Sequence, residues 1–227
     1  MVKKLTFQGS AGKWYPAKLE SLKAHLGILI RKNNYFTETQ IGCLKGNIAY
    51  SLQYVEFLNQ ISEDIKLSSV LSTQNTKNFV VCGASIIEAL FYYIVISGGK
   101  GATTEWQSCK KVPSTRYEVN KDKFKMETEL FIQVLPPRAE SMTLDQLCKK
   151  VESHKMLGNV ENLYKDISRI RKLRNKIHIH GIEHSTDTDW YNFNSSELRL
   201  IKKTLYGVLT SSLFLNSPHS SLLNYLK

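Results

Sequence analysis

The chain has 227 residues, 42% of them hydrophobic, and a formal net charge of +11 from 31 Lys and Arg against 20 Asp and Glu. That length and apolar content exclude a disordered chain and suit one domain around a single sizeable core. The positive excess points to a polyanionic partner, nucleic acid or an anionic membrane face. The four cysteines, Cys43, Cys82, Cys109 and Cys148, are widely spaced and form no CxxC pair. Neither a zinc knuckle nor a disulfide framework is legible, and with no apolar run of the secretory type in MVKKLTFQGSAGKWYP the expected compartment is the reducing cytoplasm.

In chain order, residues 1–36 read as a mixed, basic leader. Within it Pro16 can open a short helix, and Leu19, Leu22, Leu26 and Leu29 recur at helical spacing. A long helix is expected after Thr37, an N-cap with Gln40 three residues on; Ile41, Leu44, Ile48, Leu52, Val55 and Leu58 form its apolar face. The polar stretch Ser68 to Asn78 leads into FVVCGASIIEALFYYIVIS, Phe79 to Ser97, ended by Gly98 and Gly99. This segment is long enough to cross a bilayer. Glu88 near its midpoint opposes insertion by roughly 2.5–3.5 kcal/mol. No second span exists, so a core helix surrounded by neighbours is expected rather than a membrane anchor.

From Gly101 the period changes. KFKMETELFIQVL sets Phe124, Met126, Thr128 and Leu130 against Lys125, Glu127 and Glu129, the two-residue period of a strand. With Ser114 to Val119 before it and Asn120-Lys121-Asp122 as the turn, a small β-hairpin inserted at about 101–137 is expected, closed by Pro136-Pro137. Thr143 and Gln146 form a capping box for the next helix. Another helix is expected from Asn159 to about Ile179, with Val160, Leu163, Ile167, Ile170 and Ile177 as its seam, and a last one from Ser195 or Ser196. The fold class expected is therefore an all-α bundle over 37–227 with one β-hairpin insertion, preceded by the leader.

The seam of the Asn159–Ile179 helix places Arg174 in a slot that should be apolar. An unpaired buried guanidinium is very costly. Glu88, the one charged side chain of the apolar helix, is the expected bidentate partner; a purely structural ion pair would satisfy the same pattern. His178 lies four residues beyond Arg174, and His180 falls at or past the helix end, where the dipole favours an imidazolium.

Arg174-Asn175 followed by a histidine at the end of a helix resembles the signature of the HEPN superfamily (higher eukaryotes and prokaryotes nucleotide-binding). That signature is an arginine, a polar residue that is often asparagine, and a histidine after four to six intervening residues in all. Arg174 to His180 has five, Arg174 to His178 three and Arg171 to His178 six, so the histidine stays open between His178 and His180. The family's helical bundle, with an acidic or polar residue of an earlier helix against the arginine, is similar to the Glu88 arrangement.

The resemblance implies a metal-independent endoribonuclease with no cofactor, of the kind used as a toxin or phage-defence effector. It also implies a homodimer in which two motifs line one cleft. The RNA 2′-hydroxyl would attack the adjacent phosphate while the histidine transfers a proton. Arg174 would stabilise the phosphorane-like charge, and Asn175 would position histidine or phosphate. Arg169, Arg171, Lys172 and Lys176 would hold the RNA backbone. The chain departs from the family's nucleotidylated toxins, which carry a tyrosine two residues after the histidine; Gly181 and Ile182 follow His180. Control by that route, and any inhibitor, is left open.

Two other classes use the same residues. A HEPN-fold module could grip RNA or a nucleotide, or act as an oligomeric scaffold, without cleaving. Alternatively His178, His180, Glu183 and His184 form HxHxxEH, which resembles a hydrolytic metal site. Histidines at i and i+2 converge on one ion from a strand or loop but not from a helix, so the helical period argues against it.

Overall fold

The structure, a computed structural model, describes residues 16–178, 184–215 and 217–227. Helix α1, Leu19–Leu26, is followed by α2, Glu38–Asp64, and α3, Ser69–Ser97. Strands β1, Thr103–Val119, and β2, Asp122–Ala139, then lead to α4, Leu144–Ser153, and α5, Glu161–Asn175. A short α6, Asp189–Asn192, precedes α7, Ser195–Leu209, and two 3-10 segments close the chain, Ser212–Phe214 and Ser220–Leu226. A mostly helical bundle with one β insertion is therefore observed.

The helix starts follow from local chemistry. Thr37 and Thr143 each close a capping box with the glutamine three residues on: the Gln40 and Gln146 N–H groups donate to the threonine hydroxyls at 3.3 Å. The glutamine carboxamides accept the Thr37 and Thr143 N–H groups at 2.8 Å. Ser68 caps α3, so the polar stretch before Phe79 belongs to the same helix, which runs 29 residues. Its buried Asn75 is satisfied by donating to Leu58 O at 3.0 Å and Ser62 Oγ at 2.7 Å on α2.

α3 is the axis of the bundle and touches α2, α4, α5, α6 and α7. By length and mean hydropathy, 2.2 in its most apolar stretch, it could cross a membrane, yet 61% of that stretch is buried by its neighbours. This is the core helix expected from the sequence. Gly83 lets α7 approach: a Cβ there would lie 2.8 Å from the Ile201 side chain.

Residues 16–36 are part of this core rather than an appended leader. Leu22, Leu26 and Ile30 are buried, and the apolar spacing noted above is what holds them. The Arg31 N–H donates to Tyr93 Oη at 2.9 Å, and that hydroxyl donates back to Arg31 O at 2.8 Å. The buried His25 ties α1 to the end of the chain. Its Nε2 donates to Leu209 O at 3.0 Å, so Nδ1 accepts the Ser217 hydroxyl at 2.6 Å, and the ring stacks on Phe214.

The insertion lies close to where it was expected: a two-stranded antiparallel hairpin, β1 paired to β2 from Thr103↔Ala139 to Val119↔Asp122, whose first strand starts well before Ser114. Asn120 and Lys121 have φ of 52° and 71°, the positive values that a two-residue type I′ turn requires. Pro136 and Pro137 lie within β2 instead of ending it, and the Leu135–Pro136 bond is cis.

Candidate nucleic-acid interface

Four of the side chains that the sequence singles out as RNA contacts or as the phosphate-stabilising arginine lie on α5 itself. The buried face of α5 is Tyr164, Ile167, Ile170 and Leu173. Three-residue steps drift around a helix, so the fourth slot belongs to Leu173 and not to Arg174 as expected. Arg174 is half-buried at the edge of this face. The helix also ends earlier than expected. Asn175 is its last residue, and the Lys176 and Ile177 N–H groups close a tight turn on Leu173 O and Arg174 O, at 3.0 and 3.4 Å. His178 therefore lies beyond the helix, exposed, and does not share a helical face with Arg174 by an i, i+4 relation. His180 and Glu183 lie outside the described residues.

The expected grip of Glu88 on Arg174 is not formed. No ion pair or hydrogen bond joins them among the described residues, although α3 and α5 are in contact. Glu88 is half-buried and acts on α4 instead. Together with burial, the dominant cause, its charge pushes the Cys148 thiol up to about 12, which leaves that cysteine an inert core thiol. Arg171, not Arg174, pairs with a carboxylate of a neighbouring helix, Asp145 in the first turn of α4; Asp145 also accepts from Lys149 at 2.8 Å. Sequence periodicity gave no sign of this partner, because Asp145 reads as an ordinary acidic residue at a helix start.

On another side of α5, Arg169, Lys172 and Lys176 line one shallow groove of about 240 Å³ with Tyr191 and Asn192 of α6 and Glu197 of α7. Arg169 lies 3.6 Å from Glu197, and Lys176 bonds Asp187 at 2.8 Å and Asn192 at 3.2 Å. Lys172 is exposed and has no ion-pair partner among the described residues. Tyr191 and its neighbour Trp190 are 61% and 59% exposed, so aromatic faces stand beside the cations. Neither aromatic was singled out from the sequence. The signal available was two adjacent large aromatics in a polar segment just before a helix start.

The walls of the groove are fixed by polar contacts. Asp189 accepts from Lys77 at 2.9 and 3.0 Å and from Gln74 at 2.9 Å, anchoring α6 on α3. Burial alone would raise the Asp189 carboxyl, but these donors and the Lys77 charge hold it below its ordinary value. Beyond the turn after α5, the Asp187 carboxylate that binds Lys176 also accepts the His184 N–H at 3.0 Å. His178 and His184 are described, whereas the middle of the HxHxxEH segment is not; among the described residues no group of three metal-capable side chains converges.

Positive charge, an exposed aromatic and the exposed His178 thus lie at the C-terminal end of α5. Such a surface can hold phosphates by charge and bases by stacking. Comparison with known protein families, with curated proteins and with solved structures finds no match for the chain.

Proposed function

We propose that this protein is a metal-independent endoribonuclease of the HEPN kind, acting on single-stranded RNA held across the end of α5. The observation that carries the reading is the groove itself, which Arg169, Lys172 and Lys176 line together with the exposed Tyr191. Single-stranded RNA is recognised by this pairing of cations with an aromatic platform. The long contact of the exposed Arg169 guanidinium to Glu197, at 3.6 Å, is no obstacle: such pairs are worth about 0–1 kcal/mol, so a phosphate can replace Glu197 as partner.

In the proposed reaction the 2′-oxygen forms a bond to the adjacent phosphorus, and the bond from phosphorus to the 5′-oxygen breaks. His178 or His180 takes the 2′-hydroxyl proton, and a proton is returned to the departing 5′-oxygen. Arg174, with no ion-pair partner among the described residues, is available for the charge that builds on the phosphoryl oxygens. Asn175, exposed at the last turn of α5, would position phosphate or histidine. A second copy would complete the cleft, as in the homodimers that the resemblance implies, and the reducing cytoplasm would be the working compartment.

The alternative is a module that binds RNA without cutting it, favoured by the missing Glu88 contact to Arg174. One experiment separates the readings. Purified protein is incubated in EDTA with labelled single-stranded RNA and with DNA of the same sequence. The ribonuclease reading expects RNA cut, DNA intact, and Arg174→Ala inactive with RNA affinity largely kept. Binding without cleavage would leave the module, and cleavage that EDTA abolishes would favour HxHxxEH.

A further inference from the structure

The hairpin is the part of the molecule that nothing in the fold explains. Apart from its base, where the Glu140 N–H donates to Ala102 O at 2.9 Å, it makes little contact with the helices. Apart from Thr104 and Val134, its described side chains are exposed. An isolated two-stranded hairpin is marginal in water and needs a further layer.

Its register shows where that layer belongs. Residues opposite one another share a face. The pairs Val119↔Asp122, Tyr117↔Phe124, Thr115↔Met126, Val112↔Thr128, Lys110↔Leu130 and Gln107↔Ile132 therefore lie on one side. The opposite side carries Glu118↔Lys123, Arg116↔Lys125 and Lys111↔Glu129 toward the tip, a charged and solvated surface, and Ser108↔Phe131 and Trp106↔Gln133 toward the base. The first side is an apolar strip in which Tyr117 stacks on Phe124 with centroids 5.6 Å apart, and Met126 and Ile132 are each 56% exposed.

We propose that a second copy of this chain covers the strip, arm against arm, with the two hairpins antiparallel and a twofold axis at the Thr115–Met126 pair. Two charged residues among these pairs, Asp122 toward the tip and Lys110 toward the base, carry the argument for this occupant. Asp122 lies four residues before Met126 on β2, and Lys110 pairs with Leu130, four residues after it. An antiparallel twofold sets Lys110 of each copy over the Val119–Asp122 pair of the other. Arms laid in the same direction would instead bring Lys110 against Lys110 and Asp122 against Asp122. The strip is self-complementary in one orientation only.

Its size also suits a pair of copies. With about half of each large side chain exposed, roughly 90 Å² apiece, the strip offers about 600 Å² per copy and about 1,200 Å² for two, the lower end of specific interfaces. Such an isologous contact closes on itself, and it gives a dimer rather than a fibre when the copy that covers the strip is also the one that completes the cleft at α5. The inference does not depend on any ribonuclease activity and uses no residue of the α5 groove.

Sedimentation equilibrium of the full chain, with circular dichroism as a check on folding, tests it. The wild type should be a dimer at micromolar concentration. Met126→Asp, which sets two carboxylates at the axis, should weaken association at least 100-fold. Lys110→Asp and Asp122→Lys should each weaken it several-fold, and the double swap should restore it to near the wild-type value. A wild type that stays monomeric at 100 μM overturns the proposal, whether or not the strip then binds vesicles or another protein. So does a dimer that Met126→Asp leaves intact, or a double swap weaker than both single variants.

Discussion

In the proposed function Tyr191 serves binding and Arg174 serves chemistry. Tyr191 presents an exposed ring beside Lys172 and Lys176. Base stacking on such a ring is worth about 1–3 kcal/mol per base. Tyr191→Ala should therefore weaken binding of single-stranded RNA about tenfold, with little change for a duplex, whose bases are already stacked; filter binding on both substrates reads the difference. Equal affinity of wild type and variant for single strands would remove the aromatic platform. The motif Arg174-Asn175 with His178 or His180 was legible as a pattern of residue types. Its surroundings were not. The partner expected for Arg174 was inferred from one anomaly matching another, whereas the structure gives the nearby carboxylate of Asp145 to Arg171. A residue-type anomaly shows that a charge needs an answer; only packing shows which neighbour supplies it.

At the scale of elements, the starts of α2 and α4 were readable because a capping box is a local device, fixed by residues three apart. The end of α5 was not readable, since Ile177 and Ile179 continue the apolar period past the point where the helix stops. Strand β1 was underestimated for a similar reason. Register shifts at Thr104/Trp106, Ser108/Lys110 and Val112/Thr115 interrupt the two-residue period that marks a strand. The close approach of α3 and α7 at Gly83 left no mark in the sequence beyond a glycine in an apolar run. A valine at that position would collide with Ile201, and overpacking of this kind costs about 1–3 kcal/mol. Gly83→Val should lower the denaturation midpoint in urea accordingly; an unchanged midpoint would mean that α7 does not lie against α3 there.

His25 links the elements at the two ends of the described chain, and it should make their docking depend on pH. Burial pushes its pKa below 6.5, the carbonyl of Leu209 acts in the opposite direction, and the nearby His219 lowers it further. The unfolded chain then binds a proton that the folded chain refuses, between the folded pKa and 6.5. Stability from this site is complete above that window and falls as pH drops through it. Thermal melts from about pH 7.5 to about pH 5 should show the melting temperature falling, and His25→Phe should flatten the trend while lowering stability at the upper end. A slope untouched by His25→Phe would place the pH dependence elsewhere.

For the molecule as a whole, composition was the most dependable guide. A charge of +11 and 42% hydrophobic residues pointed to a polyanion-binding globular chain, and the bundle around α3 agrees with the second half of that reading. The groove lined by Arg169, Lys172 and Lys176 is where we propose that the polyanion binds. The central claim is chemical: RNA is cut by its own 2′-hydroxyl, without a metal. It is tested most directly by examining the 3′ ends of RNA treated with the protein in EDTA, alongside a substrate carrying a single 2′-deoxy nucleotide at the cleaved position. The account predicts 2′,3′-cyclic phosphate ends and no cleavage at the deoxy position. Cleavage at the deoxy nucleotide, or products ending in a 3′-hydroxyl, would contradict it.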